Sequence, residues 1–246
     1  MPYQWDGTKI LQKNTDFGGL RAIVGHPGVD VRTDIRGWMT GSDMAEVKKV
    51  LATISDLPRT KSPGDFDQRA GLIWRWLVSN IDYRLKEPAT APDDPTTHLP
   101  EFYQFPAETI ALGHGDCEDS AFLLASLLVA SGISDYCVRV VMGAVKWTTQ
   151  TPREGHVWVI YKDEGGTWRV LEPTINDDDL PDIASPKGWP SADEQSKKGK
   201  RPWYSPNLGV NGAHVWAIGE IPDDDVERFV IQHLKDKHTI RQEKST

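Results

Sequence analysis

Apolar and polar residues repeat along this chain with two different periods. In the N-terminal half the period is helical. After Ser42, with Asp43 and Glu46 spaced as a capping box, "MAEVKKVLATI" repeats apolar residues every three to four positions and predicts an amphipathic helix. A second helix is predicted from Asp65, with Gln68 as reciprocal cap, through "QRAGLIWRWLVSNIDY" to about Asn80. Pro106 suits the first turn of a short helix, "PAETIAL", that Gly113 ends. The next stretch differs: after Asp116, a natural N-cap, residues from Cys117 to Ala130 are apolar on almost every side. Such a helix belongs at the centre of a fold, and Gly132 stands where its C-terminal glycine is expected.

The period then changes to two. Strands are predicted over Tyr136 to Val145, His156 to Lys162 and Thr167 to Glu172, the last two joined through "DEGG", with a further strand at "HVWAIG". The first forty residues, broken by Gly and Pro, read as short strands or a docked arm. "VERFVIQHLKD" suits a closing helix before a polar tail. Arg84 to Phe105 and Asn176 to Asn211 show no periodicity, and loops of that length in a compact domain are usually functional, so both are expected to wall a cleft. The resulting organisation is an arm or short strands over 1–41, a main domain over 42–222 and a C-terminal helix and tail over 223–246. Helices followed by antiparallel strands predict an α+β fold, with the Cys117 helix packed on the sheet.

Composition narrows the classes. Hydrophobic residues at 38% and charged residues at 26% fit a globular protein with long loops. A net charge of −8 argues against nucleic acid as a partner, since the phosphate backbone requires a basic face. The one basic cluster, "KKGKR" at Lys197 to Arg201, reads as a solvated loop. No run reaches the roughly 18 apolar residues of a membrane span, and the first residues lack the pattern of a Sec-type signal, so the expected location is cytoplasmic. Two cysteines make no disulfide framework: Cys137 sits in a strand-like run as a small hydrophobe, and Cys117 has a different setting. Ten tryptophans fill a core or line a groove for an extended chain or sugar.

The chemistry begins at Cys117. Immediately after a helix cap, its thiol sits at the positive end of the helix dipole, which favours the thiolate. Asp116, Glu118 and Asp119 oppose this, and do least harm if Asp116 is held in capping hydrogen bonds and the others point away. Positions 117, 121, 124, 125 and 128 share one helix face, so the sulfur points along a buried side that a strand can reach. A hairpin centred near residue 164 pairs His156 with Glu172, and cross-strand partners lie about 5 Å apart at Cβ. A carboxylate there fixes the tautomer of the imidazole. Nucleophile, base and acid then make the arrangement that acyl transfer needs. The second "HVW", at His214, is a rival for the base without a following hairpin carboxylate.

"YQFPAETIALGHGDCEDSA", "GHVWV" and "WRVLEPT" together resemble the transglutaminase-like superfamily of papain-type thiol enzymes, over about Leu72 to Thr174. The resemblance implies a papain/transglutaminase-like core with Cys117 as nucleophile, His156 as base and Glu172 as orienting acid. The family usually carries Asp at the last position. Glu172 is one methylene longer, which leaves Asp163 and Asn176 as other orienters. The oxyanion hole implied by the resemblance joins the Cys117 N–H with Gln104, or with Tyr103, and Asp116, Asp119 and Trp158 support the site. No cofactor and no metal is required; an H-x-x-C spacing at His114 and Cys117 is the weak sign of a zinc alternative. The reading is a cysteine peptidase or amidase acting through a thioester on a protein or peptide substrate. The alternatives are a protein-glutamine transglutaminase or deamidase, and a non-catalytic binding or structural protein, such as a virion component, that keeps the fold.

Overall fold

The computed structural model describes residues 3–5, 9–12, 31–40, 44–58, 65–84, 87–88, 98–99 and 104–217. The fold is α+β, with a central helix packed on an antiparallel sheet. Three short N-terminal strands, β1 (Tyr3–Trp5), β2 (Lys9–Gln12) and β3 (Val31–Asp34), form a separate antiparallel sheet in that order. Helices α1 (Gly37–Thr40), α2 (Met44–Leu51) and α3 (Phe66–Asn80) follow. Two-residue strands β4 (Asp82–Tyr83), β5 (Glu87–Pro88) and β6 (His98–Leu99) precede α4 (Pro106–Leu112), and β7 (His114–Gly115) leads directly into α5 (Cys117–Ala130).

Helix α5 is buried on nearly every side, as its apolar sequence requires: Phe122, Leu123, Leu124, Leu127 and Leu128 are fully enclosed. Each such side chain contributes roughly 1.5–3 kcal/mol by leaving water. Ile35, Trp38 and Met39 belong to the same core, so the core begins before residue 42, within the segment read as an arm. Trp38 meets Phe122 edge to face at 4.9 Å.

The main sheet has the order β10-β9-β8-β11-β12, antiparallel throughout. Its strands are β8 (Val138–Lys146), β9 (Glu154–Lys162), β10 (Trp168–Leu171), β11 (Trp203–Val210) and β12 (Val215–Ala217). Side chains alternate across it: Val157, Val159 and Tyr161 face the α5 core, whereas Trp158 and Ile160 join Val141, Val145, Trp168, Val170 and Tyr204 in a second core. Helix α6 (Ala192–Gln195) contributes Ala192 to that second core.

Strand β11 lies within Asn176 to Asn211, where a loop was expected. Its sequence "WYSPNLGV" holds a proline and an asparagine, and the pairing register with β8 shifts between Pro206 and Leu208. A bulge of this kind breaks the period that marks a strand. Most of Arg84 to Phe105, the caps Ser42 and Asp43, and the segment 223–246 lie outside the described residues. Among the described residues no helix is long and apolar enough to cross a membrane.

Candidate active site

The Cys117 end of α5 is set by Asp119. Its Oδ2 accepts from the Asp116 N–H at 3.1 Å, and its Oδ1 accepts from the Gln104 N–H at 2.7 Å. One carboxylate thus caps α5 and ties residue 104 to the helix that carries the thiol. Gly115 makes room for it: a Cβ at position 115 would stand 2.6 Å from the Cβ of Asp119. The "GDCED" sequence is therefore a packing unit as well as a chemical one.

Half-buried Cys117 donates its thiol hydrogen to Glu118 Oε2 at 3.2 Å. Sequence reasoning required Glu118 to point away, and here the structure corrects it. Glu118 is only 4% exposed, and its carboxyl is raised well above the usual range by burial and by Asp116 beside it. Burial first, then the charges of Glu118 and Asp116, also push the Cys117 thiol well above its ordinary value, while a hydrogen bond from the Val157 N–H works in the opposite direction. Burial and the neighbouring carboxyls thus disfavour the thiolate in the resting site.

That Val157 N–H is available because β10 ends early. Asp163 and Thr167 form a hydrogen-bonded pair, with the Asp163 N–H donating to the Thr167 carbonyl at 2.9 Å. By alternation 159/171 is another such pair, and 157 would next meet residue 173. Position 173 is proline, which lacks an N–H, and the strand stops at Leu171. The gap beside Val157 is where the thiol sits.

The same turn sets the distance from His156 to Glu172. The loop Glu164–Gly165–Gly166 has Gly166 at φ +86°, the left-handed residue of a three-residue hairpin, so the register pairs Val159 with Leu171. This corrects the pairing expected from the sequence by two residues: in register Glu172 would face Trp158, and His156 lies diagonally from it on the same face. The added methylene of Glu spans the diagonal. His156 Nε2 lies 3.0 Å from Glu172 Oε2 and 3.1 Å from Oε1, with both residues buried.

Glu172 also accepts from the Thr174 N–H at 3.1 Å, the Thr174 hydroxyl at 2.8 Å and the Tyr204 hydroxyl at 2.8 Å. Burial by itself raises its carboxyl, but His156, Thr174 and Tyr204 together hold it below the usual range. An ionised carboxylate only accepts, so Nε2 of His156 is the ring nitrogen that donates to Glu172. Trp158 stacks on the imidazole at 6.1 Å, and Trp147 meets it edge-on at 5.1 Å.

Gln104 is 1% exposed, and among the described residues its side-chain Nε2 and Oε1 have no hydrogen-bond partner. Tyr103 lies outside the described residues. The other candidates are occupied elsewhere: Asp163 accepts from Thr167 N–H and from Arg169 Nε, and Asn176 donates to Asp179. His214 is exposed, just before β12 at the far edge of the sheet from β10. Among the described residues, Asp116, Cys117 and Glu118 each bring one donor atom within 4.8 Å of the others, close enough to share a cation, and His114 is not in this group. Sequence reasoning missed Thr174, Tyr204 and Trp147, because no period or spacing links residues 147 and 204 to the hairpin.

Residues 55–173, which span α3 through the end of the hairpin, match the model of the transglutaminase-like superfamily. This core supports thiol-type chemistry at the level of the family, and it contains Gln104, Cys117, His156 and Glu172, whereas Thr174 and Tyr204 fall beyond the matched segment. Among solved structures, the EGTA-treated form of Legionella pneumophila LapG is 19% identical, with 74% of this chain and 83% of that chain covered and a TM-score of 0.46. A second LapG structure is 18% identical over 82% of this chain and 93% of that one, with a TM-score of 0.46. The calcium-bound form is 17% identical over 76% and 98%, with a TM-score of 0.41. A comparison with curated proteins finds no match.

Proposed function

We propose that this transglutaminase-like core is a cysteine hydrolase of amide bonds, most simply a peptidase, with Cys117 as nucleophile, His156 as general base and Glu172 as orienting acid. The observation that carries the reading is the buried contact of His156 Nε2 with Glu172 at 3.0 Å, the base-and-acid half of such a triad, and Nδ1 is the nitrogen assigned to the thiol in this reading.

In the reaction the Cys117 proton passes to His156 Nδ1 and the sulfur forms a bond to the substrate carbonyl carbon. The carbonyl π electrons move to oxygen. The Cys117 N–H at the start of α5 and the unpartnered Gln104 amide are suited to hold that oxyanion, since a buried donor without a partner loses least by turning to a developing charge. The imidazolium then gives its proton to the leaving amine as the C–N bond breaks, and a thioester remains on Cys117. Water, deprotonated by Nδ1, releases the acid and restores the thiol. If an amine takes the place of water, the same intermediate gives transamidation. Trp147 and Trp158 keep the imidazole out of bulk solvent. A protein or peptide is the substrate this chemistry implies, and both cysteines are free, as suits a reducing compartment such as the cytoplasm.

The test is turnover of a fluorogenic peptide library by wild type, Cys117→Ala and His156→Ala. Cleavage by wild type that both substitutions abolish supports the reading. Cleavage that survives Cys117→Ala contradicts it, and an inert wild type that nonetheless binds peptides favours the non-catalytic alternative.

A further inference from the structure

Glu172 is held from more sides than a base-orienting acid requires. Its Oε1 takes the Thr174 N–H and hydroxyl, its Oε2 takes the Tyr204 hydroxyl, and both oxygens lie within hydrogen-bond reach of His156 Nε2. We propose that Tyr204 and Thr174 are positioning residues that clamp the Glu172 carboxylate, so that the longer Glu fills a role the family usually gives to Asp. The inference rests on the reading of His156 and Glu172 given above.

The geometry explains why a clamp is needed. Glu172 reaches His156 diagonally across the hairpin, from just beyond the last paired residue of β10, with one more rotatable bond than Asp has. A free carboxylate on such a stem rotates among several staggered positions, and only some of them face Nε2. Tyr204 is 3% exposed on β11, two strands from His156 in the sheet, and its ring is fixed by Trp158 at 4.9 Å and Trp147 at 6.2 Å. Its hydroxyl therefore has a fixed place. Thr174 holds the opposite oxygen from the chain just after Pro173. Among the described residues, the titratable groups that face Glu172 are His156 and Tyr204, and burial with the Glu172 charge raises the phenol well above its ordinary value, which favours Tyr204 as a donor.

The clamp is tested in Tyr204→Phe, which keeps the ring and removes the hydroxyl, with Thr174→Val as a second variant at a half-buried site should the first not fold. Glutamate-labelled protein followed by carbon NMR reads the titration of Glu172 itself, assigned by its loss in Glu172→Gln. Turnover of p-nitrophenyl acetate reads the chemistry. The clamp predicts that either variant raises the Glu172 midpoint and lowers kcat about tenfold at a KM within twofold, the loss that one hydrogen bond to a charged group supplies. It also predicts that Tyr204→Phe adds little to Glu172→Gln, because both act through one carboxylate.

An unchanged Glu172 midpoint in the folded variants overturns the clamp, as does a loss that adds fully to that of Glu172→Gln. Retained turnover in Cys117→Ala or His156→Ala overturns the catalytic reading instead, and the NMR midpoint then still decides whether Tyr204 and Thr174 hold the carboxylate.

Discussion

Replacing Glu118 by glutamine tests whether the carboxyl beside the thiol restrains it. In the wild type, removing the proton shared by Cys117 and Glu118 leaves two negative charges 3.2 Å apart in a site where Glu118 is only 4% exposed. Glutamine keeps the size, removes one charge and offers an N–H donor to the sulfur. A buried hydrogen bond to a charged group is worth roughly 1.5–3 kcal/mol. At 1.36 kcal/mol for each pKa unit, that lowers the thiol by about one to two units. The thiolate fraction near pH 7.5 then rises about ten- to a hundredfold, while its intrinsic nucleophilicity falls by roughly threefold for each unit, following a Brønsted slope of about 0.4–0.5. The net expectation is iodoacetamide labelling of Cys117 that is about three- to tenfold faster in Glu118→Gln. The assay is the labelling rate against pH, with the modified cysteine assigned by mass spectrometry. Equal or slower labelling would refute the reasoning, because the thiol would then not be titrating against Glu118.

Three further outcomes follow from the same geometry. Gly115→Ala drives a Cβ to 2.6 Å from Asp119, so it should lower the thermal midpoint and abolish peptide turnover, whereas Gly155→Ala, which meets nothing within 4 Å, should leave the midpoint unchanged in the same melting experiment. The folded-state pKa of Glu172 is depressed, so its contribution to stability is complete above the ordinary glutamate range near pH 4.3 and is lost as pH falls through the lower folded value. Melting of wild type and Glu172→Gln should therefore differ at pH 7 and converge in acid; a gap that is constant with pH contradicts the assignment. Trp74 Nε1 donates to the Glu172 carbonyl at 2.7 Å, so Trp74→Phe should cost about 1–3 kcal/mol in urea unfolding, and no loss would show that this bond does not anchor the end of β10.

The parts of the site that sequence made legible are those built from local pattern. The helix from Cys117, its Asp116 cap and the hairpin that carries His156 follow from hydrophobic period and cap spacing, which are properties of neighbouring residues. The register of that hairpin depends on whether the loop takes two or three residues, and "DEGG" permits either; the left-handed Gly166 decides it. The orientation of Glu118 depends on tertiary burial, which the sequence "GDCED" does not record. Tyr204 lies on a strand interrupted by Pro206, and it meets Glu172 only because β11 pairs with β8, a contact between residues 32 apart that no local signal contains.

The most direct test of the central claim is the site of acylation. Wild type and His156→Ala would be mixed with p-nitrophenyl acetate, quenched in acid and mapped by mass spectrometry. Cys117 as nucleophile and His156 as base predict a thioester on Cys117 that forms and clears in the wild type, and that forms far more slowly in His156→Ala. Acetylation elsewhere with Cys117 untouched, or a Cys117 thioester that forms at the same rate without His156, would contradict the account.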